Sequence, residues 1–320
     1  MTCIDVTRNK VVVLAGGWSD EKNISMDSAN AVKGALIEAG FRNVDLLDVA
    51  APDFLQRFSS GGYDVAFIAM HGRYGEDGCV QGLCEVQHIP YTFSGVLASA
   101  MATEKDIAKV IYRNAGIPTP QGVDLSANAD LTEEQLDQIV EDLGLPLFVK
   151  PAANGSSFGV TRVTDRTQLR EAISAATAEG DRALVEQCVT GTEITVPVIG
   201  NSNPTALPIV EIVTGAEFYD LKVKYEPSSL HHVIPARLEA GVYAKAQERA
   251  VRAHKALGCR GCSRSDFIVR EDGTPVILET NTIPGMTSAS LLPDSARHGG
   301  IEFPDLCKRF VEFALEDAKN

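Results

Sequence analysis

Nowhere does the sequence carry the roughly 18–20 consecutive apolar residues that a membrane-spanning helix needs. Met1–Lys10 lacks the basic start and apolar stretch of a secretion signal. A cytoplasmic protein is expected, with no membrane partner. Basic charge is scarce: 29 Lys and Arg stand against 43 Asp and Glu, for a formal net charge of −14. That balance excludes broad binding to nucleic acid, which needs a basic face. A small anionic substrate is still allowed, because screening over about 10 Å leaves the charges lining a pocket to decide. The seven cysteines are odd in number and scattered, so reduced thiols are expected rather than a disulfide framework. Cys259 and Cys262 form a CxxC with no second Cys or His pair at zinc-finger spacing, and read as buried strand residues. GxxxxGKS/T and GxGxxG are both absent, so neither the P-loop nor the dinucleotide fingerprint applies.

What is present is enough chain, 320 residues at 44% hydrophobic, to build two or three domains. Val11 to Ala15 is a β-branched run ending in Gly16 and Gly17, the pattern of a buried strand that delivers a tight turn. Ala29, Val32, Leu36 and Ala39 recur at helical spacing, and Gly40 stops that helix. Leu46 to Val49, Val65 to Met70 and Tyr91 to Phe93 are further short apolar runs. The alternation implies an open α/β domain over residues 1–102, with its site in the loops Trp18 to Ser25 and His71 to Gly78. A helix over Lys105 to Asn114 leads to a Pro-containing linker, Gly116 to Pro120. Leu145 to Lys150 and Val160 to Val163 read as a hairpin followed by a helix. Beyond it strands alternate with one long helix, Ala244 to Leu257. Ser126 to Glu134 and Tyr225 to His232 read as loops.

Three segments carry chemistry. In the first, Arg264-Ser-Asp266 and Glu279-Thr-Asn281 flank Glu271-Asp-Gly-Thr274, the signal of a two-residue hairpin turn centred on Asp272-Gly273. Such a turn sets Asp266 opposite Glu279 and Arg264 opposite Asn281 on one face, with Phe267, Val269, Val276 and Leu278 on the other. Two carboxylates directly across a ladder repel. A divalent cation removes the conflict, and a set of hard oxygen donors suits Mg²⁺ with bound phosphates; an exposed face neutralised by Arg264 is the plainer alternative. The second segment, Lys150 to Gly159, combines Gly155, Ser156, Ser157 and Gly159 with a lysine, the ingredients of a phosphate-covering loop or of an ordinary turn. The third, His71-Gly-Arg-Tyr-Gly-Glu-Asp-Gly78, crowds glycines and charges at a strand's carboxyl end and favours a binding role. A lone His71 would otherwise be structural.

Taken together, HGRYGEDG and the run RxD…ExNTxPGMTxxSL from Arg264 to Leu291 resemble the D-alanine–D-alanine ligases, in order over nearly the whole chain. The resemblance implies an α/β, three-domain ATP-grasp fold, α+β in its ATP-grasp part: an amino-terminal open α/β domain (1–102), a central domain (103–190) and a carboxyl-terminal domain (191–320). ATP would lie between the last two. Glu21, in GGWSDEKNIS, would receive the ammonium of the first D-alanine, with His71 beside that substrate's carboxylate. Lys105 and Lys150 would grip the ATP phosphates. Ser156 would orient Glu21 and Tyr225, and Ser157 shares its loop over the phosphates. Glu186, Gln187, Cys188 and Val189 match the segment that clasps adenine, and Glu193 the ribose ligand. Lys224 and Tyr225, in FYDLKVKY, match a mobile lid. Arg264 would steady the oxyanion. Asp266, Glu279 and Asn281 would hold Mg²⁺, expected as two ions with Mn²⁺ able to substitute. Gly285, Ser290 and Leu291 would bind the second D-alanine's end of the pocket.

The implied activity is ATP-dependent joining of two D-alanines through an acyl phosphate, for peptidoglycan precursor synthesis, by a homodimer. Within enzymes the alternative is an ATP-grasp ligase that joins other amino acids; outside them, a nucleotide-binding regulatory protein, which would not need Arg264. The chain departs from the family pattern at Asn23, where many relatives have a glutamate. It also departs at Ser265 and Thr280, where small apolar residues are usual, and at Ala152-Ala-Asn154, where charged residues are common.

Overall fold

The computed structural model describes residues 4–126, 131–153, 159–180, 182–214, 230–287 and 290–317. β1 (Lys10–Ala15), β2 (Asn43–Asp48) and β3 (Val65–Ile68) make a parallel sheet in the order β2-β1-β3. Val11 to Ala15 and Val65 to Ile68 are wholly buried. A parallel strand covered on both faces needs apolar residues throughout, which is why these segments read as continuous runs. Tyr91 to Phe93 is reduced to a single bridge, Tyr91 to Ala66. α1 (Lys22–Glu38) starts inside the expected loop Trp18 to Ser25, so that Glu21 becomes its N-cap residue. α2 (Phe54–Ser60), α3 (Cys79–Val86) and α4 (Val96–Thr103) follow.

α5 spans Lys105–Asn114, the range expected of it. Together with α4 it packs on the third sheet: Ala98, Ala102, Ala108 and Tyr112 share a core with Ile194, Val196, Phe267 and Ile277. The second sheet is antiparallel, in the order β4-β7-β5-β6, from β4 (Gly122–Ser126), β5 (Leu147–Pro151), β6 (Thr161–Val163) and β7 (Arg182–Gln187). The expected hairpin is its β5-β6 pair. α6 (Glu133–Leu143) and α7 (Leu169–Ala178) cover it, and among the described residues its buried core is drawn from Leu125 to Val185. Thr132 and Gln135 cap α6 reciprocally, so the expected loop Ser126 to Glu134 ends two residues early; 127–130 lie outside the described residues.

The third sheet runs β11-β10-β8-β12-β13 with β9 beside β8. Its strands are β8 (Thr192–Ile199), β9 (Thr205–Ala206), β10 (Val210–Thr214), β11 (Leu230–Val233), β12 (Cys262–Val269) and β13 (Pro275–Asn281). Leu230 to His232, expected in a loop, therefore belong to a strand, while 225–229 lie outside the described residues. α8 (Ala240–Ala256) begins ahead of the expected Ala244. α9 (Leu291–His298) and α10 (Phe303–Asp317) end the chain's described part. α10 returns to the first sheet: Leu306, Cys307, Phe310, Val311 and Ala314 complete its core, and the Phe310 ring lies 5.1 Å from that of Phe93.

The turn between β12 and β13 differs from the expected one. It has three residues, with Arg270 N donating to Thr274 O (3.0 Å), Gly273 N to Arg270 O (2.9 Å), and Gly273 at φ 75°. Pairing is thereby offset by one, Val269 opposite Pro275 and Phe267 opposite Ile277. A β-bulge at Leu278 restores the register, so Asp266 does face Glu279 and Arg264 does face Asn281. Below the bulge the faces change accordingly. Ile277, and not Val276 or Leu278, shares the core face with Phe267 and Val269.

Candidate active site

The β12-β13 ribbon brings four expected site residues together. Arg264 forks onto Asp266, its Nε and Nη2 each 3.1 Å from a carboxylate oxygen. Thr195 Oγ1 from β8 donates to the same carboxylate, and so does Asn281 Nδ2, at 3.3 Å. Glu279 has the Lys105 ammonium 3.8 Å away. Lys105 is buried and Arg264, Asp266 and Glu279 are half-buried, which strengthens their interactions over those of a surface pair and still leaves the carboxylates accessible. Two carboxylates and an amide oxygen, all hard donors, stand on one face beside cations suited to phosphate. The donor set fits Mg²⁺ rather than zinc. Glu76, Thr103, Lys105, Glu279 and Asn281 line one pocket between this ribbon and the first sheet's loops.

Lys105 and Lys150, expected to grip the phosphates, face different carboxylates: Lys150 Nζ lies 2.5 Å from Glu186 Oε2 and Lys105 Nζ 3.8 Å from Glu279 Oε2. Glu186, expected at the adenine, is buried, and its other oxygen meets Lys109 Nζ at 2.6 Å. Burial alone would push the Glu186 carboxyl up, but the Lys109 and Lys150 ammonium groups more than offset this and hold it below the usual range. At Lys109, by contrast, burial dominates and depresses it to about 8, against the raising effect of Glu186. Sequence reasoning missed Lys109. Its spacing from Lys105, one helical turn along the same face of α5, was the available signal. Gln187 and Cys188 leave β7 with their amides donating to Gln121 O (2.9 Å) and Pro146 O (3.2 Å); Val189 follows, and Glu193 lies near the start of β8.

At the first sheet's carboxyl edge, Glu21 packs against Gly72. A Cβ built on Gly72, which sits at φ 71°, would come within 2.8 Å of Glu21 Oε2. His71 is buried: its Nε2 is 3.1 Å from Ser28 Oγ and its Nδ1 3.7 Å from Glu76 Oε1. Met286 N also donates to Ser28 Oγ (3.4 Å), and Thr103 Oγ1 to Glu76 O (2.9 Å). These bonds tie His71 to the segment after β13 and to the end of α4. Gly285 lies against Ser290: a Cβ there would meet Ser290 Oγ at 2.8 Å. Ser290 Oγ accepts from Thr287 N (3.0 Å), and Leu291 opens α9. Ser156, Ser157, Lys224 and Tyr225 lie outside the described residues.

A family model described as "D-ala D-ala ligase C-terminus" matches residues 111–312, and one described as "D-ala D-ala ligase N-terminus" matches 48–94. Among relatives named D-alanine–D-alanine ligase, that of Pelotomaculum thermopropionicum is 45% identical over 96% of this chain and 97% of its own length. That of Desulforamulus reducens is 42% identical over 96% and 99%. Among solved structures, a D-alanine–D-alanine ligase from Bacillus anthracis complexed with ATP superposes with a TM-score of 0.84 at 33% identity, over 97% of this chain and 98% of that one. The enzyme from Coxiella burnetii gives 0.83 at 28% identity, over 98% and 95%.

Proposed function

Because this chain belongs to the D-alanine–D-alanine ligase family, we propose that it joins two D-alanine molecules to D-alanyl-D-alanine with conversion of ATP to ADP and phosphate, as a step in peptidoglycan precursor synthesis. The observation that carries this reading is the ribbon face on which Arg264 and Asp266 stand opposite Asn281 and Glu279, beside Lys105. A protein that only bound nucleotide would have no use for Arg264 there.

A carboxylate is a poor acylating agent, so it must first be activated. An oxygen of the first D-alanine's carboxylate attacks the γ-phosphorus of ATP, the bond to the β-phosphate oxygen breaks, and an acyl phosphate and ADP result. Little covalent work falls to the protein; its task is to position the groups and balance their charge. Glu21 receives the substrate's ammonium and His71 lies by its carboxylate. Lys105 and Lys150 serve the phosphates, with Lys150 exchanging Glu186 for phosphate. Ser156, Ser157 and Lys224 assist from the two covering loops. Glu186 to Val189 hold adenine and Glu193 the ribose. Asp266, Glu279 and Asn281 would hold Mg²⁺, which when bound neutralises phosphate charge. Two such ions, Mn²⁺ as a substitute and a homodimer belong to the same reading.

The amine of the second D-alanine, as the free base, then attacks the acyl carbon. Arg264 and the backbone N–H near Gly285 stabilise the tetrahedral oxyanion, phosphate departs with its electron pair, and a peptide bond remains. Ser290 and Leu291 bound that end of the pocket. Tyr225 closes over the site and keeps water from the acyl phosphate. In the decisive assay, purified protein with Mg²⁺ and ATP releases phosphate when D-alanine is added and forms the dipeptide, while L-alanine does not substitute. Phosphate release that requires a different amino acid would replace this reading with a ligase of other specificity.

A further inference from the structure

One face of α5 carries Lys105, Lys109 and Tyr112, spaced i, i+4 and i+7. The residues they meet on β13 are consecutive. Lys109 Nζ donates to Leu278 O (3.0 Å), Lys105 Nζ stands 3.8 Å from Glu279, and Tyr112 OH donates to Thr280 Oγ1 (2.7 Å). Thr280 Oγ1 shares a second hydrogen bond with Ser265 Oγ (2.8 Å), which lies on β12 between Arg264 and Asp266. Lys109, Tyr112, Ser265 and Thr280 are all buried.

Apolar side chains at 265 and 280 would fill this space without direction. Hydroxyls are directional, and each one left without a partner in the interior is destabilising, so the three hydroxyls hold one mutual arrangement. The bulge leaves Leu278 unpaired with β12, and Lys109 takes up its carbonyl. Glu279 is thus bracketed by two anchors from a single helix.

We propose that α5 sets the position at which Glu279 is presented, with Lys109, Tyr112 and Thr280 as positioning residues, and that the chain Tyr112–Thr280–Ser265 extends the same constraint to Arg264 and Asp266. The inference rests on the reading of this face as the Mg²⁺-nucleotide site. Lys109 joins it to the nucleotide end as well, through Glu186 at 2.6 Å.

The test compares ADP affinity with and without Mg²⁺, by isothermal titration calorimetry, for the parent protein, Thr280→Val, Thr280→Ser and Tyr112→Phe. Loss of one buried hydrogen bond should reduce the Mg²⁺-dependent gain in affinity about three- to tenfold in Thr280→Val and Tyr112→Phe, with metal-free ADP affinity changed less than about twofold. Thr280→Ser keeps the hydroxyl and should keep the parental gain. A Thr280→Val protein that melts earlier but retains the parental ratio would reduce the chain to packing and overturn the proposal, as would a Thr280→Ser protein that behaves like Thr280→Val. Should Thr280→Val not fold, the near-isosteric Tyr112→Phe decides by the same ratio. Failure of the parent to release phosphate with D-alanine would strike the ligase reading, yet the ratio would still be measurable, since it needs nucleotide binding alone.

Discussion

Arg264 is held by Asp266 through two parallel hydrogen bonds from the same strand, and this fixes the plane of its guanidinium. In the role proposed for it, an arginine so oriented needs little reorganisation to meet a developing oxyanion, the condition under which such stabilisation is largest. Asp266 would not be abandoned by its removal, because Thr195 and Asn281 also donate to it. Arg264→Ala is therefore expected to lower kcat about 10²- to 10³-fold while MgADP affinity, measured by calorimetry, stays close to the parental value. Arg264→Lys should recover little, since an ammonium cannot make the same fork. An equal loss of nucleotide affinity and of turnover would make Arg264 structural. The type and spacing of the ribbon residues were legible in the sequence because alternation in a strand is a strict period of two. Lys109 was not, because a lysine on an amphipathic helix is ordinarily solvated, and only the fold reveals a buried carboxylate and a backbone carbonyl at its tip.

The β12-β13 hairpin shows where local rules run out. Asp272-Gly273 correctly signals a turn, but whether that turn holds two residues or three depends on the twist of the strands it joins, and the bulge at Leu278 compensates for the extra one. Helix edges were misplaced as well: α8 starts ahead of the expected Ala244, and its first turn rests Val242 and Tyr243 against the core of the third sheet. α8 also carries a buried histidine into the third sheet. His254 Nδ1 lies 2.8 Å from Ser263 Oγ on β12, and burial depresses its pKa to about 4. Between the ordinary 6.5 and 4, the unfolded chain binds a proton there and the folded one does not. Folding stability is thus lost as pH falls through that window, by up to about 3 kcal/mol, and no more is lost from this group below it. Urea unfolding across this range should show a shallower pH slope for His254→Gln than for the parent. Identical slopes would mean that His254 already titrates normally in the folded protein.

At the scale of the whole molecule the site is assembled from pieces distant in sequence: the loops after β1 and β3, the face of α5, the end of β7 and the β12-β13 ribbon. The order of elements was readable because motifs and apolar runs are local. What each amphipathic face packs against was not, because a periodic pattern says that a face is buried without naming its partner. α10 is the clearest instance. It lies at the chain's far end, yet Leu306, Phe310 and Ala314 fill the core of the first sheet, with the Phe310 ring 6.4 Å from Phe67 and 5.1 Å from Phe93. Phe310→Ala should cost about 3–5 kcal/mol, the usual price of emptying such a site. The second sheet has a core of its own, drawn from residues between Leu125 and Val185, so the damage should be confined. Native-state hydrogen exchange is expected to show loss of protection in β1 and β3 while β5 and β7 keep theirs. Because Glu21 and His71 lie in the connections that follow β1 and β3, the KM for D-alanine should rise, and ADP affinity should remain near the parental value. Loss of protection spread evenly over all three sheets would instead mean that the molecule opens as one cooperative unit, and the first sheet would then have no separate stability for α10 to complete.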